Sequence, residues 1–469
     1  MLAVGVNAPG GSFAPLRYAD DDAVAAASFF SPRGENAWLL TLPDVETAQQ
    51  SRQLLAHARP PTRQALQQAV KEITARVARD NGSGGAPVVV VWLVGHGGFQ
   101  DDGGAFFALA DDNLSPDGLL EDVLRPLASA HRVHLVIDAC HAGALVRSRA
   151  LVQSADSAEI ERVWHARTPA SLANVGIIAA ASPGERAWEW DEIRGGVFSA
   201  LVRSGMSGAA DVDADDGVSY PELAAYLTAA VSAVPLPEAR PQVYVEGPLV
   251  EPLAFMSKAA WLSDRRVLAQ DLSALGMVRI DDGSGRFLTG GRFEGGFLSR
   301  LWLPNVPLRL VTASSERPIV VEGDGLEVGA EQSDTAAASR GRIDEALRAG
   351  LFATPYGPAY FAGFRAAAEK KPPAPVFAKA PKTPWLAIGL LSGAGLSLAA
   401  AAGGLFVGVQ QNLDYNAGQC VERTCPDLLS RSVAGYVVAG AAAVVGSLLA
   451  GGAAWAVSSA TDSSDASRR

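Results

Sequence analysis

The sequence predicts an α/β fold: an α/β/α sandwich, then a small β-rich domain and two transmembrane helices. Three observations predict it. Short apolar runs alternate with helical patterns over about the first 250 residues, as in parallel sheets buried on both faces. From residue 256, short strand-like runs are separated by Gly, Pro and Asp clusters. Residues 385–409 and 433–457 are uncharged apolar runs of 25 residues each, long enough to span a bilayer. The expected domains are 1–255 (α/β), 256–368 (β-rich), 369–384 (a Pro/Lys-rich linker), the two spans enclosing a loop at 410–432, and a polar tail at 458–469.

Leu2-Ala3-Val4-Gly5-Val6 reads as the first strand, and residues 16–23 open a helix that runs to about Phe30. Its three acids, Asp20, Asp21 and Asp22, suit the positive end of a helix dipole. Residues 37–42 form a second strand. Ala65, Leu66, Ala69, Ile73 and Val77 share one face of a helix that Thr62 can cap. Val88 to Val94 is a continuous strand ending in Gly95-His96-Gly97-Gly98. A further strand at 105–110 follows, then a helix from Ser115-Pro116 to about Ala130. Val133 to Ile137 is the next strand, ending in Asp138-Ala139-Cys140-His141. Residues 144–171 read as a surface connection carrying Arg147, Arg149, Arg162 and Arg167. Strands at 175–180 and 241–245 and helices after Gly196 and from Glu222 to Val231 complete the first domain.

Strand, helix and strand imply a parallel pair joined by a crossover, whose ends lie on one edge of the sheet. Ligands of open α/β sheets bind beyond that edge. His96 and Cys140 stand there, an imidazole and a thiol, the parts of a cysteine nucleophile with its base. Of the six histidines, His96 is the candidate base. His134 lies inside a strand, and His141 is next to Cys140 in sequence, where neighbouring side chains diverge. The amides of Gly97 and Cys140 are candidate oxyanion donors.

The net charge of −11 and pI near 5.1 argue against nucleic-acid binding. Arg365, Lys370, Lys371, Lys379 and Lys382 precede the first span, while the 410–432 loop has Arg423 and Arg431 against three acids. The positive-inside rule then places the N-terminal part in the cytoplasm and the loop outside, an orientation that an upstream signal peptide would reverse. Cys420 and Cys425 in that loop would face an oxidising compartment, leaving Cys140 reduced.

These motifs resemble the caspase-like cysteine peptidases, in particular metacaspases and their bacterial relatives. The resemblance covers roughly residues 1–250. It rests on Leu16 to Ala23, Gly95-His96-Gly97, Asp138-Ala139-Cys140-His141-Ala142-Gly143, Ala180-Ala181-Ser182-Pro183 and Gly196-Val197-Phe198-Ser199. The 44 positions from His96 to Cys140 fit that family's spacing. The resemblance implies the caspase–hemoglobinase sandwich, a His96–Cys140 dyad that needs no cofactor, and protein or peptide substrates. Asp138, two residues before the nucleophile, implies a pocket for Arg or Lys, with Asp22 as a second carboxylate. It also implies self-cleavage in the arginine-bearing connection. With the spans, the expectation is a thiol protease anchored in a membrane, a bacterial inner membrane by the same resemblance. The alternative is a catalytically silent caspase-fold scaffold or signalling module.

Residues 211–222 resemble an EF-hand calcium loop, with Asp211, Asp213, Asp215 and Glu222 at positions 1, 3, 5 and 12. Position 6 is Asp216 instead of Gly, and no evident helix precedes the loop. Calcium binding competes with a simpler reading, an acidic turn that caps the following helix.

Overall fold

In the structure, a computed structural model, the continuous apolar runs become a six-stranded sheet. The structure describes residues 1–10, 13–31, 36–100, 104–140, 142–145, 172–180, 188–250, 254–257, 265–312, 315–322, 325–329 and 342–370. The strands are β1 (Leu2–Gly5), β2 (Trp38–Thr41), β3 (Val88–Gly95), β4 (Arg132–Ala139), β5 (Val175–Ala180) and β6 (Val243–Glu246), in the order β6-β5-β4-β3-β1-β2. The first five run parallel, and β6 closes the edge antiparallel to β5. Central strands buried on both faces favour apolar residues at successive positions, which is why β3 and β4 carry no alternating pattern.

Successive side chains of β3 feed two different cores. Val89, Val91 and Leu93 join Leu66, Val70, Ile73 and Val77 of α2 (Arg63–Gly82). Val90, Trp92 and Val94 face the opposite way. They share a core with Val197, Leu201 and Val202 of α3 (Val197–Ser204) and with Leu223 and Tyr226 of α4 (Tyr220–Ser232). Near β1 and β2, α1 (Ala19–Phe30) buries Ala23, Val24 and Ala27 against Ala3 and Leu39. Thr62 caps α2, accepting the Ala65 N–H at 3.2 Å.

The helix expected through 130 ends sooner. A π-helical stretch, Leu119–Leu124, gives way to turns at Arg125. Pro126 supplies no N–H to extend it. The strand expected at 105–110 pairs outside the main sheet. Ala105–Ala108 lies between Gly97–Phe99 and Asn113–Leu114 in a small antiparallel ribbon beside the end of β3.

Residues 265–329 form antiparallel strands. Arg265–Gln270 pairs with Ser299–Pro304, and five more strands between Met277 and Val328 make a second sheet. Their Leu268, Val278, Ile280, Phe287, Leu301 and Trp302 belong to the same apolar core as Trp92, Leu201 and Tyr226. The Tyr226 hydroxyl donates to the Gly290 carbonyl at 2.6 Å, fixing α4 to that sheet. Helices Arg342–Gly350 and Pro358–Lys370 follow.

The expected fold class requires a correction: the chain is a mixed α/β protein with several sheets, and its two transmembrane helices are not supported. Among the described residues no helix is long and apolar enough to cross a membrane. The longest, α2, is 20 residues but carries Arg, Lys, Glu and Asp around a single apolar stripe, which suits one buried face and not a lipid environment. The proposed spans at 385–409 and 433–457 lie outside the described residues. So do the connection at 146–171 with its four arginines, His141, and Cys420 and Cys425.

Candidate active site

Strands β3 and β4 pair in parallel from Val88↔Arg132 to Gly95↔Ala139. His96 and Cys140 are therefore the next residues on neighbouring strands, level with each other at one edge. The loops that carry them meet: a side-chain carbon added to Gly97 would lie 1.9 Å from the Cys140 carbonyl oxygen. Only glycine permits that approach. Cys140 is a buried thiol outside any disulfide.

His96 is half-buried and held from three sides. Its ring stacks on Phe13 with centroids 4.8 Å apart. Its Nε2 lies 2.8 Å from the Ala14 carbonyl oxygen. A carbonyl only accepts, so Nε2 carries the proton and the lone pair of the neutral ring sits on Nδ1. The His96 carbonyl accepts from the Ala108 amide at 2.9 Å, tying the residue to the small ribbon. Burial lowers the imidazole pKa from its ordinary value, and the Ala14 carbonyl opposes that shift in part. The bond between His96 and Ala108 makes Gly97↔Phe107 the non-hydrogen-bonded pair of the ribbon. The Gly97 N–H is thereby left out of that ladder.

Asp138 and Asp22 converge although 116 positions separate them (138 − 22). Both are buried, at 3% and 1% exposure. A carbon added to Gly196 would lie 2.8 Å from Asp138 Oδ2 and 2.9 Å from Asp22 Oδ2, so this glycine separates the two carboxylates. The Gly196 N–H donates to Asp22 at 2.6 Å, and the Ser199 N–H donates to Asp138 at 2.9 Å. Arg203, one turn further along α3, pairs with Asp22 at 2.8 Å and is itself buried. Two carboxylates thus stand near one guanidinium, which pairs with Asp22. Burial raises both acids. Asp138 is pushed up to about 7, with the neighbouring Asp22 charge adding to the shift and the Ser199 bonds opposing it. The rise at Asp22 is opposed chiefly by Arg203.

The other acids of the α1 start are committed as well. Asp20 accepts from the Asn7 side chain at 2.6 Å and from the Asp44 amide at 2.8 Å, and Asp21 pairs with Arg286 at 2.9 Å. They bind distant chain rather than only the helix dipole. His134 is buried with Nδ1 2.6 Å from the Tyr220 hydroxyl, and burial pushes its pKa down to about 3. That makes it a packing residue. A separate cleft of about 460 Å³ is lined by Arg17, Asp44, Glu46, Asp191, Arg194 and Arg286; neither His96 nor Cys140 borders it.

In the acidic loop, carboxylate oxygens of Asp211, Asp213 and Asp215 lie within 4.8 Å of one another. Glu222 turns to the helix start instead. It accepts from the Ser219 amide at 2.8 Å and hydroxyl at 2.7 Å and from the Val212 amide at 3.1 Å, closing a capping box on α4.

Sequence reasoning missed Arg203, Phe13 and the Ala14 carbonyl. Arg203 had one legible signal: it is a lone cation in an otherwise apolar turn, Val197-Phe198-Ser199-Ala200-Leu201-Val202. Phe13 and Ala14 had none, since they lie in an irregular loop more than 80 residues before His96. No family model matches the chain. No curated protein matches it either.

Proposed function

We propose that this chain is a caspase-like cysteine endopeptidase that cleaves after Arg or Lys. The observation that carries the reading is the β3–β4 register, which sets His96 and Cys140 side by side at one sheet edge. In this mechanism the Cys140 sulfur attacks the scissile carbonyl carbon and its proton passes to His96 Nδ1, the ring nitrogen that Ala14 leaves available. The carbonyl oxygen becomes an oxyanion, with the N–H groups of Gly97 and Cys140 as its donors. Collapse breaks the C–N bond, and His96 returns the proton to the leaving amine. Water then attacks the thioester, giving a proton to His96, and the carboxylic acid leaves as the thiol is restored.

The preference for a cation rests on charge balance. Asp22 is neutralised by Arg203, so one carboxylate of the pair is left over. A substrate guanidinium or ammonium compensates it, while a neutral or acidic side chain leaves it buried and uncompensated. Cofactors play no part in the dyad chemistry.

Fluorogenic peptides with Arg, Lys or Asp before the reporter test this on the full-length protein and its Cys140→Ala variant. The expected result is turnover of the Arg and Lys peptides, reduced by about a thousandfold or more in the variant. Absence of any Cys140-dependent cleavage would sink the peptidase reading and favour a scaffold that uses the fold without catalysis.

A further inference from the structure

The loop between α3 and α4 holds a buried acid that no cationic side chain among the described residues pairs. Asp211 is fully buried, at 0% exposure, and neither carboxylate oxygen meets a donor in full hydrogen-bond geometry, the Ala214 backbone being the one group that favours its charge. An unpaired carboxylate removed from water is costly, and proteins keep one chiefly where a cation or a proton joins it. Its carboxylate points into a cluster, since one oxygen each from Asp211, Asp213 and Asp215 lies within 4.8 Å of the others.

We propose that this loop is a calcium site, with Asp211 at its buried base and Asp213 and Asp215 as its outer ligands. The order of groups fits a hard cation bound by oxygen. Asp213 Oδ1 accepts from the Asp215 amide at 3.3 Å and Asp215 Oδ1 from the Gly217 amide at 2.7 Å. These bonds shape the loop and leave each residue a second oxygen. Asp216 stands where such loops prefer glycine, and it adopts the required positive φ of 64°. Its carboxylate turns to Arg300 at 2.8 Å, and the same guanidinium donates to the Ala214 carbonyl at 3.2 Å. The loop is therefore braced from a separate strand before any ion arrives.

The flanking helices, which the sequence did not reveal on the upstream side, are both present. Helical turns continue from α3 through Gly205–Ala209 almost to Asp211, and α4 begins at Tyr220. Glu222 caps α4 and is not part of the cluster, so the ligand set is completed by backbone carbonyl and water oxygens. A coordination shell of six to eight oxygens is ordinary for calcium, and magnesium demands a stricter octahedron at shorter distances.

The test is calorimetric titration of the metal-stripped full-length protein with calcium chloride, repeated with magnesium chloride, and thermal unfolding with and without about 5 mM calcium. One calcium per chain is expected, with a dissociation constant between micromolar and millimolar and a rise of several degrees in melting temperature. Asp213→Ala should weaken binding by about tenfold or more. Asp211→Asn should abolish the calcium-induced rise while melting no lower than the wild type without calcium, because it removes an unpaired buried charge. That second variant separates loss of binding from loss of folding. Three results would overturn the proposal: no heat and no shift with the wild type, undiminished binding by Asp213→Ala, or magnesium binding as tight as calcium. The readout is binding, so it stands or falls independently of peptidase activity.

Discussion

Asp138 stores a charge that the folded chain holds only at a cost. Its carboxyl titrates at about 7 in the native state, against about 3.9 in an unfolded chain. Between those values the native protein keeps a proton that the unfolded chain releases. Stability therefore falls as pH rises from about 4 to about 7 and stays lowered above that. Asp138→Asn removes the charge and retains an oxygen for the Ser199 N–H. It should stabilise the protein by on the order of 2 kcal/mol near pH 8 and by little near pH 4. Unfolding curves at both pH values check this, and equal stabilisation at each would mean Asp138 titrates normally. At this scale the sequence was informative where chemistry and strand ends coincide. His96, Cys140 and Asp138 each follow a run of β-branched residues, so the sheet itself announces them. Arg203, Phe13 and Ala14 reach the site across 82 to 181 residues of chain, and single-residue patterns carry no record of such closures.

The elements of the main sheet were legible because strands buried on both faces read as mostly apolar runs, with Arg132, His134 and Asp138 the polar exceptions in β4. The sense of β6 was not, since the same letters serve a parallel or an antiparallel edge. Short strands such as Asn113–Leu114 and the glycine-bearing Phe287–Arg292 lack enough periodicity to register. The upstream helix of the acidic loop escaped notice because Gly205 and Gly208 interrupt its pattern, and Gly208 takes a φ of 97°. The junction of β3 and β4 gives the prediction of this scale. Gly97→Ala puts a methyl group against the Cys140 carbonyl and must push the two strand ends apart. The expected cost is about 1–3 kcal/mol in stability and about a hundredfold in turnover. Circular dichroism, with peptide kinetics for the proposed activity, would show both, and an unimpaired variant would mean that the two loops need not touch. Between the sites, α3 is shared: its first turns hold Asp138 and Asp22, and its far end feeds the Asp211 loop.

At the scale of the whole molecule, Met1–Ala374 form one compact unit. The sequence suggested a boundary near 256 because the texture changes there, from long apolar runs to short ones. Packing ignores that change. Leu268, Ile280, Phe287 and Trp302 close the core above α3 and α4, and the Tyr356 hydroxyl donates to the Ala210 carbonyl at 3.0 Å. A fragment of residues 1–374 should unfold in one cooperative transition. A fragment of residues 1–255 should lose it, since Tyr226, Ser204 and the apolar faces of both helices would meet water. Scanning calorimetry of the two fragments decides the matter, and a sharp transition in the shorter one would restore an independent first domain.

Two of the three acids that open α1 bind partners far along the chain: Asp22 reaches Arg203, 181 residues on, and Asp21 reaches Arg286, 265 residues on. A ribosome adding about 5–20 residues per second would leave Asp21 waiting on the order of 10–50 s for its arginine. The first residues made are thus among the last to be locked. Late in that interval Cys140 and Arg203 have already been made, while the contact between Asp21 and Arg286 has not. On the peptidase reading proposed above, the order of synthesis itself withholds a complete site until Arg203 has been made.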